Sequence, residues 1–148
     1  MKQPVYLIHT DEYKNWIFDP FHPTQGRRFN NARDLFIKSA NKEGIDVVEV
    51  LPRLATEAEL LRVHTQRHID FIKTQSDSRL GGDAGDLTTP FGKGGYEIAT
   101  LGIGGILNMV DAICTKKIRN GYALVRPPGH HALADFGMGY CLFANGAL

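Results

Sequence analysis

Cysteine is scarce in this chain: Cys114 and Cys141 are the only two. They form no Cys-x-x-Cys pair, which excludes both a disulfide framework and a thiolate metal site. Each stands among apolar neighbours, so both are expected to be buried thiols. No apolar run approaches the ~20 residues that span a bilayer. Met1 to Thr10 is too short and too polar for a secretory signal, so the default expectation is a cytoplasmic enzyme. Charge of either sign is not in excess: 17 Lys+Arg against 16 Asp+Glu leave a net charge of +1. Nothing global therefore draws the chain to nucleic acid or to an anionic membrane. No Gly-x-Ser-x-Gly elbow or His/Cys pair offers an obvious nucleophile. Internal repeats, low-complexity tracts and a second-domain linker are also missing. The 148 residues, 43% of them hydrophobic, suit one domain over residues 1–148 with a real core.

What is present reads as alternating strands and helices. Pro4 to His9 suggests a first core strand. Thr10 to Thr24 is a loop holding Trp16, Phe18 and Phe21. Gly26 to Lys42 shows helical spacing, with Phe29, Ala32, Phe36, Ile37 and Ala40 on one stripe and Gly44 as the stop. Val47 to Leu51 suggests a strand that Pro52 ends. Thr56 and Glu59 fit a capping box, which predicts a helix over Glu57 to Val63. His64 and His68 share metal-compatible spacing, but no acidic or third ligand accompanies them, so they read as structural histidines.

Ile69 to Thr74 continues as helix, and Ser76 to Pro90 is a Gly- and Asp-rich loop. It lacks the closing Glu of an EF-hand. Gly94 to Ile118 is the longest predicted helix, with Ala99, Ile103, Ile106, Val110 and Ile113 as its stripe. Gly102, Gly104 and Gly105 interrupt it at a cost of up to about 1 kcal/mol each against alanine, which makes sense only if another backbone packs very close.

Tyr122 to Tyr140 organises the rest. Tyr122 to Val125 reads as a strand that Pro127 and Pro128 must stop, because proline cannot donate to the ladder. Gly129 permits a sharp turn, and His130 and His131 emerge from it at the carboxyl end of the strand, where α/β sheets bind ligands. Arg-Pro-Pro-Gly-His-His-Ala, followed by Met138-Gly139-Tyr140-Cys141-Leu142-Phe143, resembles the signature of the histone deacetylase superfamily. The class II deacetylases and the acetylpolyamine amidohydrolases look most similar. Two positions depart from the pattern: Tyr140 stands where Phe is usual, and Ala144 where Asn is frequent.

The resemblance implies a three-layer α/β/α fold with a mainly parallel sheet, of the arginase/deacetylase type. It implies a zinc-dependent amidohydrolase that removes acetyl groups from acetyl-lysine or acetylpolyamine. His130 and His131 are implied as the proton-transfer pair, with His131 as general base and acid. Gly139 and Tyr140 are implied to bind substrate, the first through its carbonyl and the second as a channel wall. Asp86, with Asp83 the second choice, is implied to accept N–H bonds from substrate at the channel rim. Arg28 is implied to lie beneath the metal site.

The zinc ligands of the family come from an Asp-x-Asp/His-x-His run and a further aspartate, and its carbonyl-polarising residue is a tyrosine further on. None of these motifs occurs in this sequence, so no metal ligand is assigned to it. The chain is therefore expected to be the N-terminal portion of such a fold. A catalytically inactive remnant or a binding and assembly module is the alternative, and an unrelated hydrolase using the two histidines is a third.

The last residues, to Leu148, read as the start of a helix. Either the edge of the Tyr122–Val125 strand or an apolar face holding Leu142, Phe143 and Leu148 is then expected to meet water. Exposed edges and apolar patches drive association. The chain is expected to form a homo-oligomer that buries the region from Tyr122 to Leu148, unless further sequence covers it. Sedimentation at micromolar concentration checks this, and a soluble monomer would show the argument wrong.

Overall fold

Val5, Tyr6, Leu7 and Ile8 form β1 (Val5–Ile8), the middle strand of a parallel sheet whose order is β2-β1-β5. The computed structural model describes residues 4–16 and 27–148, with the side chains of residues 27–30 outside the description. Phe18, Phe21 and the side chain of Arg28 therefore lie outside the described residues. β2 (Val47–Val50) pairs Val5 with Val47 and Ile8 with Val50. β5 (Gly121–Ala123) pairs Tyr6 with Gly121 and Ile8 with Ala123 on the other side. A strand flanked on both sides by parallel partners and covered by helices must be apolar throughout. Leu7 and Ile8 are accordingly fully buried.

The helices follow their sequence signals closely. α1 (Arg27–Lys42) ends before Gly44, which takes the left-handed conformation at φ +63°. Arg33 grips Glu49 of β2 with two hydrogen bonds of 2.6 and 2.7 Å. α2 (Glu57–Leu60) carries the expected capping box: Thr56 accepts from the Glu59 N–H, and Glu59 accepts from the Thr56 N–H. It is shorter than the predicted Glu57–Val63, because the chain turns through Leu61–Val63 to bring His64 inward. α3 (Gln66–Asp77) is longer than predicted and starts at a Thr65 cap. β3 (Gly82–Asp83) and β4 (Pro90–Phe91) form a minimal antiparallel pair at the base of the Asp-rich loop.

α4 (Gly95–Cys114) crosses the core. By length and composition alone it could cross a membrane, contrary to the expectation that no segment here would. Half of that stretch is buried inside the fold, as a core helix requires. Its predicted stripe holds only in part. Ala99 and Ile103 are buried, whereas Val110 and Ile113 are exposed. The glycines set the buried face instead. A Cβ on Gly104 would lie 2.0 Å from the carbonyl oxygen of Arg53, and one on Gly102 would lie 2.9 Å from that of Arg126. The close backbone approach that the sequence implied is therefore present, and α4 sits against the strand ends. Ile98, Ala99, Ile103 and Leu107 then pack with Leu60, Ile69, Ile72, Phe91, Leu142 and Phe143 as one core.

Three further expectations are corrected. Cys114 is exposed near the end of α4, and only Cys141 is buried. Residues 141–148 form turns rather than a helix, because Leu142 and Phe143 are drawn fully into the core. The strand expected at Tyr122–Val125 is β5 (Gly121–Ala123), with one more ladder bond from the Leu124 N–H to the Ile8 carbonyl. It is not buried on both faces. Among the described residues it lies at the edge of the sheet, and Tyr122 is half exposed, its ring stacked on Phe36 at 5.3 Å. Among the described residues β5 has no strand partner on its outer side, and Leu142 and Phe143 do not meet water.

Gly104 gives a direct test of this packing. Alanine would add helix propensity worth about 1 kcal/mol, yet its methyl must displace backbone. Gly104→Ala is expected to destabilise the fold by about 1–3 kcal/mol, read as a lower denaturant midpoint at unchanged slope.

Candidate active site

β5 delivers the chain to the site. Beyond Leu124 the Nδ1 atom of His9, at the end of β1, lies 3.3 Å from the Leu124 carbonyl. The Arg126–Pro127 peptide is cis, and Pro127 is buried. Gly129 is required by contact. A Cβ there would fall 2.4 Å from the backbone nitrogen of Asn145. Asn145 is buried, and its side-chain N–H donates to the Pro127 carbonyl at 3.0 Å. The Pro-Pro-Gly turn is thus held against residues 141–148.

His130 and His131 leave this turn side by side, with ring centroids 4.2 Å apart and both residues exposed. His130 lines an apolar cavity of about 500 Å3 together with Val125, Pro128, Ala132, Asn145 and Ala147. His131 lies on the other side, against Gly139. A Cβ on Gly139 would come within 2.6 Å of the His131 ring, and Gly139 takes φ +57°. Glycine meets both demands at once. The His131 N–H also points to the Cys141 sulfur at 3.4 Å.

Tyr140 takes φ +66°, which a non-glycine residue adopts at a cost of roughly 1–2 kcal/mol. Such strain persists only where the surroundings enforce it. Here the loop between β3 and β4 does so. The Gly139 N–H donates to Asp86 Oδ2 at 2.9 Å, and the Tyr140 N–H donates to Thr89 Oγ1 at 2.9 Å. The Gly137 N–H donates to the Ala84 carbonyl at 3.2 Å.

The loop is itself braced by its aspartates. Asp83 accepts from the N–H groups of Gly85 and Leu87, each at 2.8 Å, and from Thr89 at 2.9 Å. Asp86 accepts from the Thr88 N–H at 2.9 Å and from the Thr88 hydroxyl at 2.7 Å. Partial burial of the Asp86 carboxyl would raise its pKa. The hydrogen bonds from Thr88, Gly139 and Thr89 outweigh that and hold it down at about 2.

The structure therefore brings Asp86, His131, Gly139 and Tyr140 into one connected unit, with His130 beside it. The side chain of Arg28 lies outside the described residues, in the first turn of α1. Thr89 and Asn145 were missed by the sequence reading. A polar residue in an otherwise apolar run, as Asn145 is among Leu142–Leu148, was the available signal. Thr89 had none beyond its place in a turn-rich loop.

His64 and His68 are nearly fully buried and committed to backbone. His64 Nε2 accepts the Ala144 N–H at 3.0 Å, so its Nδ1–H donates to the Ala134 carbonyl at 3.2 Å. His68 lies with Nε2 at 2.8 Å from the Leu142 carbonyl. Burial is the main reason that both have pKa values below the ordinary histidine range. They are structural rather than ligating. Among the described residues no three His, Cys, Asp or Glu side chains gather as a metal site.

The site is thus a tandem-histidine turn at the carboxyl end of a parallel sheet covered by helices. Residues 22–148 match the family model described as the histone deacetylase domain, and the chain belongs to that family. It is 43% identical over 91 residues to a histone deacetylase-like amidohydrolase of Pseudomonas aeruginosa, an alignment covering 62% of this chain and 23% of that protein. It is 30% identical over 142 residues to a probable deacetylase of Archaeoglobus fulgidus, covering 96% of this chain and 39% of the relative. The crystal structure of the HDA15 HD domain superposes with a TM-score of 0.86 at 27% identity, covering 99% of this chain and 42% of that one. The chain thus spans less than half the length of these relatives.

The buried histidines set a pH dependence. Their folded pKa values lie below the unfolded value of about 6.5. Their stabilising contribution is full above that value and is lost as pH falls through the folded values. The melting temperature is expected to drop as pH is lowered from about 6.5, and His68→Gln should flatten that slope. A second loss is expected as pH falls from about 4 towards 2, where Asp86 takes up its proton. Thermal melts across pH check both.

Proposed function

We propose that this chain supplies the proton-transfer and substrate-wall portion of a zinc-dependent amidohydrolase acting on acetyl-lysine or acetylpolyamine. The observation that carries the reading is the paired His130 and His131 rings, 4.2 Å apart at the carboxyl end of β5. Membership of the histone deacetylase domain family supports it. So does a 33% identity over 100 residues to a polyamine deacetylase of Danio rerio, covering 65% of this chain and 15% of that protein.

An acetylated amine is a resonance-stabilised amide. Its hydrolysis needs an activated water and a proton for the departing amine. In this reading His131 takes the proton from the attacking water and returns it to the amine nitrogen as the C–N bond breaks. Such transfer is worth roughly 10²–10⁴-fold. His130 stands beside His131, with the two ring centroids 4.2 Å apart. The Gly139 carbonyl accepts the amide N–H of the substrate, and Tyr140 forms a wall beside its aliphatic stem with a polar tip. In this reading the Asp86 carboxylate, already held by Thr88 and the Gly139 N–H, meets a substrate N–H at the rim. The metal ligands belong to sequence outside these 148 residues.

The 148-residue chain alone is therefore expected to bind no zinc at one per chain and to leave acetyl-lysine and acetylpolyamine intact. Joined to a segment bearing the Asp-x-Asp/His-x-His run, it is expected to hydrolyse them, with His131→Ala lowering kcat by roughly 10²–10⁴-fold. Stoichiometric zinc and chelator-sensitive hydrolysis by the chain alone would overturn the division of labour. Failure of the joined form to turn over either substrate would overturn the reading itself.

A further inference from the structure

We propose that Asp86 is a positioning residue for His131, acting through the backbone of Gly139 in addition to any contact with substrate. The proposal rests on the reading of His131 given above, but its geometry stands by itself. Asp86 Oδ2 receives the Gly139 N–H at 2.9 Å, and the His131 ring rests on the same glycine, close enough that a Cβ there would come within 2.6 Å of it. Gly139 and the next residue, Tyr140, are both left-handed, at φ +57° and +66°. Two successive residues of that kind do not hold themselves, least of all when one carries a side chain. Something must take their N–H groups, and the loop takes both, through Asp86 and through Thr89 Oγ1 at 2.9 Å.

The carboxylate is the stronger of the two holds, since a charged acceptor makes shorter and stronger bonds than a hydroxyl. It is itself held by Thr88 from two sides, at 2.9 and 2.7 Å. Its loop is seated a second time, because a Cβ on Gly85 would come within 2.7 Å of the Phe136 ring. The chain of contacts is therefore Thr88, Asp86, the Gly139 amide and the His131 imidazole. Loss of the carboxylate frees the Gly139 peptide to rotate, and with it the surface on which the imidazole lies. A residue that merely met substrate at the rim would have no reason to point its carboxylate at the backbone beneath the histidine.

The test reads the unliganded 148-residue chain by NMR and needs no turnover, so its outcome is separable from that of the hydrolysis assay. In Asp86→Ala, hydrogen exchange at the Gly139 amide should quicken by about tenfold or more, as loss of a charge-assisted bond brings. The ring signals of His131 should move while those of His64 and His68 stay in place. Asp86→Asn keeps one acceptor oxygen and should restore part of the protection, and Thr88→Val should give an intermediate loss. Unchanged Gly139 exchange and unchanged His131 signals in Asp86→Ala would overturn the proposal. If Asp86→Ala does not fold, Asp86→Asn and Thr88→Val decide: parent-like Gly139 exchange and His131 signals in both would overturn it equally.

Discussion

The site depends on one physical constraint: two backbones and an imidazole must lie closer together than any side chain allows. Gly129 meets the backbone of Asn145, and Gly139 meets the ring of His131, at separations where even a methyl group would overlap. These contacts bind the tandem-histidine turn to the segment that follows it in sequence. They leave no slack for adjustment, because packed interiors resist change of even one methylene. The same device recurs beneath the site, where Gly102 and Gly104 let α4 reach the carbonyls of Arg126 and Arg53. Strand, turn and core helix are thereby locked together at the tandem-histidine turn.

Polar groups complete what the glycines permit. Every N–H that the tight turn at 137–140 would orphan finds an acceptor in or near the Asp-rich loop, except that of Met138, which bonds to the Cys141 carbonyl. Buried donors left unpaired would cost more than the bonds themselves contribute. A different pair of histidines serves on the far side of the core. His64 and His68 hold the backbone at Ala134, Leu142 and Ala144, so the fold contains a structural histidine pair as well as the tandem pair of the turn. What separates them is environment: the first pair is buried and bonded to backbone, the second stands open to solvent.

The legible parts of this site were those whose chemistry is local. Pro127, Pro128 and Gly129 announce a stop and a turn by their own dihedral limits. The Thr56–Glu59 capping box requires only residues three apart. Gly102, Gly104 and Gly105 within α4 signalled close approach, though not to which partner. The illegible parts were the long-range bonds. Nothing near Thr89 in sequence says that it will receive the Tyr140 N–H from 51 positions away. Nothing near Asp86 says that its carboxylate will turn to Gly139. The stripe read on α4 misled at Val110 and Ile113 because periodicity shows which residues share a face, not how far along the helix that face stays covered.

The sequence by itself determined the class of the fold, the place of the histidine turn at a strand end, and the family to which the chain belongs. The turn follows from residue types whose backbone preferences act over a few positions, whereas fold class and family came from the resemblance of the Arg126–Ala132 and Met138–Phe143 motifs to a known signature. Tertiary structure alone decided that Leu142 and Phe143 turn inward instead of starting a helix, that Cys114 faces solvent while Cys141 supports His131, and that Tyr140 is held left-handed. Each of those outcomes is set by what packs opposite the residue. A core must be filled and its amides must be bonded by whichever groups arrive there from distant parts of the chain.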